Sequence, residues 1–128
     1  MTKEEHIDRE GLSVLRWSMF DSPDDPGSGY KFMEREPVIA LDRAAKRHNY
    51  KPNVVLGYTT PYQANRLSLV SDNPHRLGKA VRIRCVGPKK RLKLIRSLME
   101  QGVQRFAVDR EVVYFDTDDL RPPSFYLW

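Results

Sequence analysis

Between Ala80 and Gly102 the chain changes its hydrophobic period once, and this switch limits the folds open to it. Ala80-Val-Arg-Ile-Arg-Cys-Val86 alternates, with Val81, Ile83 and Cys85 on one side and Arg82 and Arg84 on the other. A two-residue period with one charged face is that of a half-exposed strand. Pro88 then opens a helix whose predicted buried stripe is Leu92, Ile95, Leu98 and Met99, with Lys89, Lys90, Arg91, Lys93 and Arg96 mostly outside it. Gly102 is placed to terminate that helix. A strand running straight into an amphipathic helix needs a sheet with a helix packed on it.

The rest of the chain extends this pattern. Residues 1–19 form a lead segment, polar at first and then apolar at Leu12, Val14, Leu15 and Trp17, ahead of a domain spanning 20–128. Asp21-Ser-Pro-Asp-Asp-Pro-Gly-Ser-Gly29 is dense in turn formers. Pro37 is the expected start of an earlier helix, with Val38, Leu41, Ala45 and His48 at helical spacing and an end at Asn49 or Tyr50. Asn53 to Tyr58 reads as a short buried strand, and Thr59 to Pro74 as an irregular connection. Arg105–Val108 and Val112–Asp116 read as a hairpin around Asp109-Arg110, and Arg121 to Trp128 as an extended aromatic tail. The expected class is α+β: two helices packed on a small, mainly antiparallel sheet.

With 128 residues and 40% apolar side chains, the chain has enough material for one core and too little for two. The single Cys85 excludes an intrachain disulfide framework. The polar start lacks the apolar stretch of a signal peptide, and no eighteen apolar residues run together, so membrane insertion is not expected. The net charge of +5 is uneven: Arg76 to Arg105 holds ten Lys or Arg and one acid, Glu100, whereas residues 1–26 hold seven acids and three bases. Such asymmetry suits an acidic partner, nucleic acid included, although a solvated helix face balanced by acidic ends has the same composition.

The order of motifs from Phe20 onward resembles the phage-encoded branch of the zinc D-alanyl-D-alanine carboxypeptidase-like family. That branch opens on "FDSPD-x-PGSG", matched by Phe20-Asp-Ser-Pro-Asp-Asp-Pro-Gly-Ser-Gly29, and continues with an "LD-x-AR" helix, matched by Leu41-Asp-Arg-Ala44. Its "SGYR" segment is similar to Leu56-Gly-Tyr-Thr-Thr60. Its metal motif, "S-x-H-x-x-G-x-A-x-D-I", resembles Asn73-Pro-His-Arg-Leu-Gly-Lys-Ala-Val-Arg-Ile83. The closing "F-I-H-V-D-x-D" resembles Val112-Val-Tyr-Phe-Asp-Thr-Asp118, and a terminal tryptophan, Trp128, also fits. The resemblance implies a hedgehog/DD-peptidase fold and a zinc site of two histidines and an aspartate that activates water against peptidoglycan.

Carried over by position, the first zinc ligand is His75, the aspartate is replaced by Arg82, and the last histidine by Tyr114. The substrate-facing arginine is Thr59, and the serine before the histidine is Asn73. A guanidinium cannot deprotonate, so Arg82 places a fixed cation where the resemblance implies a metal. No catalytic residue, metal or other cofactor is therefore expected. A rearranged site using His75, Glu111 and Asp116 is the catalytic alternative. Otherwise His75 is expected at the mouth of a former cleft, bonded to Tyr114 or a carboxylate, with Arg82 pairing Asp116 or Glu111. Cys85 belongs to the core phase of its strand.

Three functions follow as expectations. The first is a non-catalytic structural or host-attachment protein of a phage virion, made in the host cytoplasm. Its partners would be other virion proteins such as the capsid, further copies of itself, or the host surface and its peptidoglycan, with Phe125, Tyr126 and Trp128 at the interface. The second is a lysis or host-penetration peptidase. The third is a nucleic-acid-binding module using the basic face of Arg82, Arg84, Lys89, Lys90 and Lys93.

Overall fold

The alternating segment from Ala80 forms the middle of the sheet. A computed structural model describes residues 11–127; the polar start at residues 1–10 and the interface candidate Trp128 lie outside the described residues. Five strands, β1 (Asn53–Leu56), β2 (Ala80–Arg84), β3 (Arg105–Val108), β4 (Val112–Asp116) and β5 (Ser124–Leu127), lie in the order β1-β2-β4-β3-β5. The first three pairings across the sheet are antiparallel, but β5 runs parallel to β3. The sheet is mixed rather than mainly antiparallel. The reason is that the tail returns across the end of the hairpin and joins the β3 edge in the direction of its neighbour.

Among the described residues there are four α-helices, not two: α1 (Ser28–Phe32), α2 (Arg35–Arg47), α3 (Pro61–Arg66) and α4 (Pro88–Glu100), preceded by a 3-10 turn at Trp17–Phe20. The short helix α3 interrupts the stretch expected to be irregular; Thr60 caps it by accepting from Gln63 N at 3.2 Å, and Pro61 supplies the preset first turn. Helix α2 begins two residues before Pro37, which a first turn tolerates because its missing N–H has no intrahelical acceptor there. Strand β1 ends at Leu56 and is half-exposed, since it forms a sheet edge.

The packing helices α2 and α4 cover one face of the sheet. Val38, Leu41 and Ala44 from α2 and Leu94 and Leu98 from α4 join Val81, Ile83, Val113 and Phe115 in one buried cluster that also takes in Cys85. The α4 stripe keeps Leu98 and Ile95 of the expected set but is rotated away from Leu92 and Met99. Leu94, Ser97 and Leu98 are buried, while Leu92 and Met99 are exposed. Contact with α2 selects the 94/97/98 ridge, and an apolar pattern alone does not distinguish two adjacent ridges. Gly102, at φ +92°, ends the helix as expected.

Residues 11–19 belong to this core: Leu15 and Trp17 are buried in it, and Leu12, Val14 and Met19 pack against it. Buried Asp42 on α2 accepts the amides of Ser13, Val14 and Leu15 at 2.8 to 2.9 Å, which ties the segment down.

Candidate functional site

The face of the sheet opposite the helices carries the residues singled out by the metal motif. Arg82 and Tyr114 are direct register partners between β2 and β4. The His75 ring meets the Tyr114 ring edge-on, 5.5 Å between centroids. His75, Arg82 and Tyr114 are thus brought together from a loop and two strands.

His75 is held on three sides. Its amide donates to Asn73 Oδ1 at 2.9 Å, its carbonyl accepts from Thr59 N at 3.1 Å, and its ring Nδ1 faces the Gly57 carbonyl at 2.9 Å. A carbonyl only accepts, so the proton sits on Nδ1 and Nε2 is left as a lone-pair acceptor. Thr59 and Asn73 therefore surround His75 as its scaffold. Gly57 is required here because a Cβ would approach Phe20 backbone atoms to 2.7 Å.

His75 is buried, not at a cleft mouth. Burial pushes its pKa down to about 4, with the Arg82 charge in the same direction and the Gly57 bond and Asp116 opposing. Its ring bonds Gly57 rather than Tyr114 or a carboxylate.

Tyr114 instead donates to Asp116 Oδ2 at 2.6 Å, and burial, reinforced by that carboxylate, raises its pKa beyond the usual phenol range. Asp116 is completely buried; its Oδ1 also accepts from Arg105 Nε at 2.8 Å and from Asp118 N at 3.0 Å. Glu111 lies at the hairpin end and pairs with Arg84 at 3.7 Å. Asp116 is engaged by Arg105, and Glu111 by Arg84. They do not join His75: among the described residues no group of three His, Cys, Asp or Glu is disposed to hold a metal ion.

The residues present do not fit a zinc ion. One imidazole faces a guanidinium strand and a phenol committed to a carboxylate, so the donor set lacks the two anionic or neutral ligands a tetrahedral site needs. Cys85 is buried in the opposite phase, and burial raises its thiol pKa. Among the described residues no helix is long and apolar enough to cross a membrane.

The remaining candidates lie elsewhere. Lys89, Lys90 and Lys93 are exposed on α4. Phe125 and Tyr126 are 50% and 63% exposed on β5, with Phe125 tilted on Phe106 at 5.9 Å. A Ser22, Asp24 and Thr60 cluster had no signal beyond its turn composition. Both hydroxyls donate to Asp24, at 2.5 and 2.6 Å, hold its carboxyl below the usual range, and tie the turn-rich segment to α3.

No protein-family model matches the chain, and neither a curated protein nor a solved structure matches it.

Proposed function

We propose that this protein is a non-catalytic structural or host-attachment component of a phage virion, built on a hedgehog/DD-peptidase-like fold whose metal site has been replaced. The observation that supports this reading is the meeting of His75, Arg82 and Tyr114, positions far apart in sequence that the resemblance assigns to one ligand set. His75 retains the orientation of a metal-binding imidazole, its Nδ1 proton held by a carbonyl. Its two companions supply a fixed cation and a phenol locked to Asp116. A fold of this kind with a guanidinium and a phenol in place of two zinc ligands is suited to contact rather than turnover.

The assembly role is supported by β5. Phe125, Tyr126 and Leu127 lie on a sheet edge, largely exposed, where no further strand of the described residues pairs and another chain can add. Deletion of residues 122–128 tests it: the truncated protein stays folded and fails to enter phage particles. Unimpaired incorporation of the truncated protein, or cleavage of peptidoglycan stem peptides by the full chain, contradicts the proposal.

A further inference from the structure

The seam between α2 and α4 contains a pocket of about 270 Å³ lined by Arg47, His48, Lys93, Arg96, Ser97 and Glu100. Three of its six lining residues are cations. Its one acid, Glu100, is paired with Arg47, while Lys93 and Arg96 have no ion pair among the described residues. Two polar atoms at this seam are buried without a hydrogen-bond partner among the described residues: Ser97 Oγ, on a residue 1% exposed, and His48 Nε2. Buried polar atoms are normally satisfied, and a small pocket that gathers two unsatisfied ones, the Ser97 hydroxyl donor among them, beside uncompensated cations has the chemistry of an oxyanion site.

Lys89, Lys93 and Arg96 lie at i, i+4 and i+7 on α4, one stripe leading along the helix to the pocket. At 1.5 Å per residue this stripe is about 10 Å long, which at 3.4 Å per nucleotide follows roughly three phosphates of one strand. We propose that the α2/α4 seam binds the backbone of a nucleic acid, one phosphate entering the pocket between Arg47, Lys93 and Arg96 and accepting from Ser97 Oγ. The stripe then holds the neighbouring phosphates. The pocket side chains are assigned to phosphate oxygens, and contacts of that kind carry no sequence information. The inference does not depend on the fate of the metal site, which lies on the other face of the sheet.

The test uses the full chain with two probes, inorganic phosphate and a labelled mixed-sequence oligonucleotide, followed by amide shifts and by anisotropy at two salt concentrations. Both probes are expected to move Ser97 and His48, and phosphate to compete with the oligonucleotide. Lys93→Glu combined with Arg96→Glu is expected to weaken oligonucleotide binding more than tenfold and to flatten its salt dependence by about two phosphate contacts. Both positions are exposed, and an unchanged thermal unfolding curve verifies the fold of the variant. Ser97→Ala weakens phosphate binding while leaving the stripe intact. Phosphate binding without oligonucleotide binding overturns the nucleic-acid assignment, as does capture of an acidic peptide in place of the oligonucleotide. Oligonucleotide binding that leaves the Ser97 and His48 signals unmoved places the contact elsewhere and overturns the site.

Discussion

The two faces of the sheet handle charge in opposite ways. On the inner polar face, Asp116 is fully buried and each of its oxygens is engaged, by Arg105, Tyr114 and the Asp118 amide. Across the helices, Lys93 and Arg96 stay in solvent with no ion pair among the described residues. A buried charge survives only with complete pairing, whereas an exposed one costs little to leave open. The first region is therefore bound to the stability of the fold, and the second is free to meet a partner.

Asp116→Ala breaks the comparison most severely. It leaves Arg105 and Tyr114 facing an empty site, and a loss of about 3–5 kcal/mol is expected in chemical denaturation. A loss below about 1 kcal/mol would show that the inner network is not a stabilising centre.

Protonation of His75 has the next largest effect. Its folded pKa, down to about 4, lies below the ordinary 6.5, so the folded state resists the proton that the unfolded chain accepts. The associated stability is complete above pH 6.5 and is lost as pH falls toward 4, approaching about 3 kcal/mol. Subtracting the pH profile of His75→Gln isolates this contribution from the carboxylates. Parallel profiles for the two proteins across that window would contradict it.

At the small end, Arg84→Ala removes the exposed Arg84–Glu111 pair and is expected to change stability by less than about 1 kcal/mol. A larger loss would erase the distinction between buried and exposed pairs on this molecule.

How much of this was legible in the sequence depended on whether local pattern or tertiary contact decided the outcome. The β2 alternation placed Val81, Ile83 and Cys85 in the core because a two-residue period with one charged face leaves a single solution. The β3/β4 hairpin was readable from its turn. The parallel β5 was not, since strand direction at an edge is set by where the tail crosses the hairpin, and nothing in Ser124–Leu127 encodes it. In the α4 stripe Leu98 and Ile95 were placed correctly, whereas Leu92 and Met99 were not, because they are as apolar as Leu94 and packing on α2 made the choice. In the candidate site, the positions of His75, Arg82 and Tyr114 came from motif order. The commitment of Asp116 to Arg105 did not, because it depends on cross-strand register. The α2/α4 pocket was invisible for a similar reason: His48 reads as part of an apolar stripe and Ser97 as a neutral helix residue until two helices are set side by side.

The central claim is that His75, Arg82 and Tyr114 occupy the places of a replaced metal site. Zinc binding by the Arg82→Asp/Tyr114→His double variant, measured by calorimetry beside the parent, tests it most directly. The account predicts one zinc per chain for the folded double variant and none for the parent. A double variant that remains folded and binds no zinc, or a parent that already carries one, would contradict it.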